Sequence, residues 1–264
     1  MPLTSQTIVV KIGGSTLGHS DTSLADTVAL HERGVNVVLV HGGGAEISRW
    51  LNRLGLESQF VDGLRVTGRS ELRVVTAVLA GLVNKMLVTE LLASGGRAAG
   101  ISGVDGGIAR AAITRPELGH VGEIKSIDPH LLHALIAARC IPVVSPICWN
   151  IAGERPALLN VNADDVATDI AVAIDASSLV FLTDVPGVMD ANGDVIARIA
   201  AGEVDSLIAA GTIKGGMIPK ARACQRASRS IPRARIIDGT APHALLRETE
   251  ADPGGTTIVN EELA

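Results

Sequence analysis

The stretch from Asn160 to Ile174, "NVNADDVATDIAVAI", sets two adjacent carboxylates, Asp164 and Asp165, behind two asparagines where a helix begins. Such a pair could act as a general base, ligate a metal or serve the helix terminus, yet helix starts ordinarily attract anionic ligands. Two lysines stand in equally unusual settings. Lys11 interrupts the apolar run "TIVVKIGG", and Lys220 follows "GGMIP" at the start of another helical stretch. A buried ammonium without a partner is costly, so Lys11 either meets an anion or faces solvent from an edge strand. The helix macrodipole disfavours a cation in the first turn, so Lys220 either has an acidic or phosphate partner or is solvated.

Glycine clusters accompany these charges: Gly13-Gly14, Gly42-Gly43-Gly44, Gly103 to Gly107, and Gly215-Gly216. Glycine lets backbone N–H groups approach an anion with no Cβ in the way. Each cluster alone could be only a tight strand-to-helix turn, and neither the dinucleotide fingerprint nor the Walker A loop stands in its proper context. Several clusters converging at strand C-termini mark the place where open α/β sheets bind ligands.

The elements that must position these groups alternate along the chain. "TIVVKIGG", "VNVVLVHGGG", "RAAGISGVDGG", "IPVVSPI", "SSLVFLTDV", "RARIIDG" and "TTIV" read as strands. "SLADTVALHERG", "AEISRWLNRLG", "SELRVVTAVLAGLVNKMLVTELLASGG", "DPHLLHALIAARC", "ADDVATDIAVAIDA", "VDSLIAAG", "KGGMIPKARACQRASRS" and "PHALLRE" read as helices, with Gly34 and Gly55 closing the first two. "IARAAITRPELGHVGEIKSI" reads as a hairpin or meander punctuated by Pro116 and Gly119. This alternation predicts an α/β fold with a parallel sheet and crossover helices. The polar, turn-like "AGERP" marks a lobe boundary near Gly153 to Pro156, giving lobes 1–153 and 154–264.

Bulk properties narrow the function classes. The 264 residues are 47% hydrophobic and 19% charged, which suits one large domain or two joined lobes and excludes disorder. Aromatics are only 2% with no Tyr, so the core is aliphatic, as parallel strands covered on both faces require. A net charge of −5 without a basic, aromatic-interleaved stripe argues against nucleic acid. Cys140, Cys148 and Cys224 form neither a disulfide framework nor a zinc pattern, which suits a reducing compartment. "MPLTSQTIVVKIGG" lacks a signal-peptide core and no apolar run approaches membrane-spanning length, so a cytoplasmic protein is expected. His130 and His133 lie three apart on a predicted helix without an evident third metal ligand, and His41 reads as structural.

In order and spacing, "KIGG", "VHGGG", "GLRVT", "AGLVNK", "ISGVDG", "GHVGE", "PVVSPI", "NVNADDVA", "LTDVPGV" and "GGMIPK" resemble the amino-acid kinase family nearly end to end, in the branch that phosphorylates N-acetyl-L-glutamate. The resemblance implies a three-layer αβα sandwich with a mainly parallel central sheet, the amino acid on the N-terminal lobe and ATP on the C-terminal one. It implies that Lys11 and Lys220 contact the phosphoryl group in transit, with Asp164 between them. Gly14, Gly43 and Gly44, with Gly13 beside them, would offer N–H groups to phosphate and to the reacting carboxylate. Arg65 would clamp the substrate's α-carboxylate, and Asn160 would also hold substrate. Thr183, Asp184, Val185, Pro186 and Gly187, with Thr212, Ile213 and Lys214, would line the nucleotide pocket. Mg2+ would arrive on the β- and γ-phosphates of ATP, with no metal site on the protein.

The chemistry so implied is physically coherent. A γ-carboxylate is already ionised at neutral pH, so its attack needs no general base. The obstacle is repulsion between two anions, and the remedy is positioning plus positive charge spread over the transferring group. Asp164 is therefore assigned to charge organisation, keeping two mutually repelling lysines protonated and aimed. Asp165 is assigned to the helix first turn. Family relatives often carry Lys where Val104 stands and Asp where Gly68 stands, and the segment from Arg110 to Gly119 is expected to shape the lid over the amino acid. "HGGG" and "NVNAD" separate the chain from carrier-protein-linked aminoadipate or glutamate kinases, which tend to "HGGS" and "NTDGD". Retention of Lys11, Asp164 and Lys220 argues against a catalytically silent sensor. Because few residues precede Ile8, the resemblance implies an arginine-insensitive homodimer.

Overall fold

The run "TIVVKI" forms β1 (Thr7–Ile12), and the two-residue period of a strand divides it between two cores. Ile8, Val10 and Ile12 join one apolar cluster, and Val9 joins the other, on the side from which Lys11 also projects. The computed structural model describes residues 6–13, 22–153, 157–250 and 254–260. After β1 come α1 (Ser23–Glu32), β2 (Asn36–His41) and α2 (Gly44–Arg53). A small hairpin, β3 (Phe60–Val61) and β4 (Leu64–Arg65), leads into one long helix. That helix consists of α3 (Arg69–Thr76), a π-helical stretch (Ala77–Val83) and α4 (Asn84–Ala93). Then follow β5 (Ala98–Ser102), β6 (Ala109–Ala112), β7 (Val121–Ile127), α5 (His130–Ala137), β8 (Ile141–Ser145), β9 (Ile147–Asn150) and β10 (Ala157–Val161). The chain ends with α6 (Ala163–Ala173), β11 (Ser178–Thr183), β12 (Arg198–Ala200), α7 (Val204–Ala209), α8 (Met217–Ala227), β13 (Ala234–Asp238) and β14 (Thr256–Val259).

Eight strands form the central sheet in the order β12-β14-β13-β11-β1-β2-β8-β5, and only the β13–β14 pair is antiparallel. α1, α2 and the long helix contribute to the apolar layer on one face, and α5, α6 and α8 to the layer on the other. This is the expected three-layer sandwich. β1 lies inside the sheet between β11 and β2, with Lys11 opposite Phe181 and Val40. Lys11 is therefore not an edge residue, and only 7% of its surface is exposed.

Several elements depart from the sequence reading. The expected hairpin β6–β7 is present, but β9 and β10 close it into a four-stranded barrel. The β3–β4 hairpin turns at Asp62-Gly63, both at positive φ (51° and 78°), the conformation that a two-residue hairpin turn demands. "PHALLRE" forms turns and a single 3-10 turn (Leu246–Thr249) instead of an α-helix, because Pro242 and His243, at φ 56°, break the helical path. The view that no apolar run approaches membrane-spanning length also needs correction. The 25-residue helix Arg69–Ala93 is long and apolar enough by length and composition. Its Val75, Leu79, Val83, Leu87 and Leu91 are buried against the sheet, and its apolarity serves that packing.

Candidate active site

Three helix and strand ends meet on one side of the sheet. Asn162 caps α6, its Oδ1 accepting from the Asp164 N–H at 2.9 Å, so Asp164 sits in the first turn, where the macrodipole favours a carboxylate. α8 packs beside α6 and carries Lys220 in its own first turn. Lys11 reaches up from β1. Asp164 Oδ1 lies 2.8 Å from Lys11 Nζ, and Asp164 Oδ2 accepts a hydrogen bond from Lys220 Nζ at 3.1 Å. The Lys11 contact is ionic and not an aligned hydrogen bond. The side chains of Asp164 and Lys11 are 6% and 9% exposed and that of Lys220 is 20% exposed, so little water screens the cluster.

Burial lowers the pKa of Lys11; Asp164 opposes that shift and Lys220 adds to it. Burial alone would raise the pKa of Asp164, but the two ammonium groups outweigh it and hold the carboxyl below the ordinary range. The cluster carries two positive charges and one negative, an excess that suits a further anion. Asp165 points elsewhere: it accepts from Arg226 at 2.8 Å, tying α6 to α8 at the surface. The two adjacent carboxylates thus have separate partners.

Lys11 and Lys220 line a cleft of about 960 Å³. Gly13, Thr183, Asp184, Val185, Gly187, Thr212 and Lys214 line it too, as does the turn Asp190 to Gly193. Two expected members differ. Ile213 is 1% exposed and belongs to the apolar core, and Pro186 is exposed and does not itself line the cleft, although Val185 and Gly187 beside it do. Gly14 lies outside the described residues. Among the described residues no group of three or more His, Cys, Asp or Glu is arranged for a metal.

Gly43, Gly44, Arg65 and Asn160 form a second group. Gly43 precedes α2, and a Cβ there would stand 2.7 Å from Leu79 Cδ2, so any larger residue would force the Leu79 side chain of the long helix to move. Arg65 is buried and stacks over Phe60, 4.6 Å from the ring centroid. Its guanidinium donates to Gly44 O and Ser48 Oγ, both at 2.9 Å, and to Ser58 Oγ. Asn160 donates through Nδ2 to Thr67 Oγ1 at 3.2 Å.

The loop after β2 has its own support, which sequence reasoning saw only as a structural His41. The ring is fully buried, its Nδ1 2.9 Å from Gly42 O and its Nε2 3.1 Å from Asn84 Nδ2. Burial lowers its pKa to about 4, so the ring is neutral, with the proton on Nδ1 donating to Gly42 O and Nε2 accepting from Asn84. Asn84, Ser48, Ser58 and Thr67 were not singled out from sequence. Asn84 lies within the motif "AGLVNK" and Thr67 closes "GLRVT", which was the available signal.

The amino acid kinase family model matches residues 6–238. The chain belongs to the amino acid kinase family. An acetylglutamate kinase of Dehalococcoides mccartyi is 45% identical over 260 residues, covering 97% of this chain and 95% of that protein. Among solved structures of this fold, smu.665 from Streptococcus mutans UA159 is 27% identical with a TM-score of 0.81, covering 96% of this chain and 98% of its own. The N-acetylglutamate synthase of Neisseria gonorrhoeae, complexed with coenzyme A and N-acetyl-glutamate, is 25% identical with a TM-score of 0.82. That match covers 97% of this amino acid kinase family chain but 60% of the longer synthase.

Proposed function

We propose that the protein is an acetylglutamate kinase, transferring the γ-phosphoryl group of ATP to the γ-carboxylate of N-acetyl-L-glutamate to give N-acetylglutamyl 5-phosphate in arginine biosynthesis. The observation that carries this reading is the buried Lys11–Asp164–Lys220 cluster on a cleft large enough for a nucleotide. The 45% identity to an acetylglutamate kinase over nearly the whole chain supports the choice of acceptor. In this reading Lys11 and Lys220 hold the equatorial oxygens of the transferring group, one from the sheet and one from α8. Asp164 stays between the two ammonium groups and keeps both charged and aimed at the transferring phosphate. No side chain removes a proton, since the attacking carboxylate has none to lose.

Gly13 and Gly14 are assigned to the phosphates. Gly43 and Gly44 are assigned to the reacting carboxylate, Arg65 to the α-carboxylate and Asn160 to the rest of the acceptor. Three of the five Arg65 N–H groups are engaged by Gly44, Ser48 and Ser58, leaving Nε–H and one Nη1–H for an anion. Thr183 to Gly187 and Thr212 to Lys214 are assigned to the nucleotide. Mg2+ would arrive with the nucleotide and would neutralise charge on its phosphates, which asks no carboxylate cage of the protein.

The division into an acceptor lobe and an ATP lobe is proposed to fall after β10, not at residue 153. β10 carries Asn160, and its strand partners β7 and β9 both precede that residue. A cytoplasmic homodimer is proposed, with the exposed Leu82, Met86 and Leu92 of the long helix as the apolar surface a second copy would cover. The test is ADP release with N-acetyl-L-glutamate, free glutamate, aminoadipate and carrier-linked forms in parallel, with hydroxylamine trapping of the acyl phosphate. Turnover confined to N-acetyl-L-glutamate supports the reading; turnover only with another acceptor, or with none, overturns it.

A further inference from the structure

Thr67 follows β4 and is completely buried. Its hydroxyl donates to Arg65 O at 2.9 Å and accepts from Asn160 Nδ2 at 3.2 Å. Its backbone is held as firmly: the N–H donates to Leu118 O at 2.9 Å, and the carbonyl accepts from His120 N–H at 2.7 Å. Asn160 N–H donates to His120 O at 3.0 Å, which closes the ring. Three segments distant in sequence, the end of β4, the turn before β7, and β10, therefore meet on one residue. The approach depends on Gly119, at φ 72°, where a Cβ would stand 2.5 Å from Thr67 O.

A hydroxyl has one proton to donate. With that proton on Arg65 O, Thr67 Oγ1 can only accept from Asn160, and this sets which way the carboxamide faces. Nδ2 is turned to Thr67, while the amide oxygen and the second N–H make no other hydrogen bond among the described residues. We propose that Thr67 is a positioning residue for the acceptor amino acid, orienting the Asn160 carboxamide and registering the Arg65 backbone against it. The proposal rests on the acceptor roles given above to Arg65 and Asn160. Without the hydroxyl the carboxamide is free to rotate, exchanging donor for acceptor toward the ligand.

The test compares steady-state constants of the wild type with Thr67→Val, Thr67→Ser, Asn160→Ala and the Thr67→Val/Asn160→Ala double variant. Thr67→Val deletes two hydrogen bonds, and the one from Asn160 bears directly on the acceptor; its loss, about 0.5–1.5 kcal/mol, corresponds to roughly a 3- to 10-fold rise in KM for N-acetyl-L-glutamate. KM for ATP stays within about twofold, Thr67→Ser restores the wild-type value, and Thr67→Val has a smaller effect on acceptor KM in the Asn160→Ala background than in the wild type. A Thr67→Val enzyme with wild-type acceptor KM, or one whose acceptor and ATP constants change alike, or failure of serine to rescue, overturns the proposal. If Thr67→Val does not fold, Thr67→Ala deletes the same hydroxyl without adding bulk and carries the same expectation. A wild type that phosphorylates a different acceptor overturns the substrate reading instead, and the Thr67 comparison is then made with that acceptor.

Discussion

Replacing Asp164 by Asn keeps the shape of the side chain and deletes its charge. In the native site that charge lies 2.8 Å from one ammonium and 3.1 Å from another, with 6% of the side chain exposed. Two unit charges about 3 Å apart interact by on the order of 5 kcal/mol at an effective dielectric of about 20. Deleting the anion removes this attraction twice and leaves Lys11 and Lys220 to repel each other. Lys11 is the vulnerable ammonium, because burial already lowers its pKa and Asp164 opposes the shift. In Asp164→Asn its pKa falls further, and the protonated form needed for phosphoryl transfer is lost at lower pH. Misplacing one preorganised donor at a transition state commonly costs roughly 100- to 1,000-fold in kcat. Both KM values are expected to change far less, within about fivefold, because Asp164 organises charge and does not clamp either substrate.

The assay is kcat from coupled ADP release between pH 6 and pH 10, at a temperature well below the melting point of the variant. Stability needs its own control, since removing one partner of a buried ionic cluster commonly costs about 3–5 kcal/mol. The expected variant is slow and loses activity on the alkaline side earlier than the wild type. A folded Asp164→Asn enzyme with near-native kcat, or a loss confined to KM with an unchanged pH profile, refutes the assignment.

Other consequences are as open to measurement. His41 titrates at about 4 in the folded chain against 6.5 for the free group. As pH falls below 6.5 the unfolded chain binds this proton first, so stability contributed at neutral pH is lost by about 3 kcal/mol on reaching pH 4. Urea denaturation of His41→Asn at pH 7 and pH 4 is expected to lack that part of the slope; equal slopes in both proteins contradict it. Arg65→Lys loses charge-assisted bonds worth about 1.5–3 kcal/mol each, so KM for N-acetyl-L-glutamate rises roughly 10- to 100-fold with kcat nearly unchanged. A normal acceptor dependence removes Arg65 from the site. Gly119→Ala incurs about 1–2 kcal/mol for a left-handed residue, plus a clash with the Thr67 carbonyl. A lower melting temperature and a higher acceptor KM are expected together, and a neutral variant speaks against the Thr67 hub.

Much of the architecture is legible in the chain because strand and helix periods differ and glycine punctuates both. β1, β2, β8, β11 and β13 are nearly unbroken apolar runs, as strands covered on both faces must be. The position of β1 inside the sheet is not legible, since periodicity carries no pairing order, and so Lys11 stayed ambiguous between core and edge. β9 and β10 were missed because each is short and stabilised by barrel closure, not by local pattern. The β3–β4 hairpin had a signal in Asp62-Gly63 that was overlooked, its strands being two residues long. At the site, the charged types of Lys11, Asp164 and Lys220 stood out against apolar or glycine-rich neighbours. Thr67 did not: its partner Asn160 is 93 residues away, and an ordinary threonine becomes a hub only when the chain is folded.

In the proposed transfer, two ammonium groups close on a migrating phosphoryl group with one carboxylate between them. The direct measurement is a crystal structure with Mg2+, ADP, aluminium fluoride and N-acetyl-L-glutamate. Lys11 Nζ and Lys220 Nζ are both expected within about 3.2 Å of the fluorides, with the acceptor γ-carboxylate in line behind them. A mimic bound in line while either amine remains out of hydrogen-bond reach contradicts it.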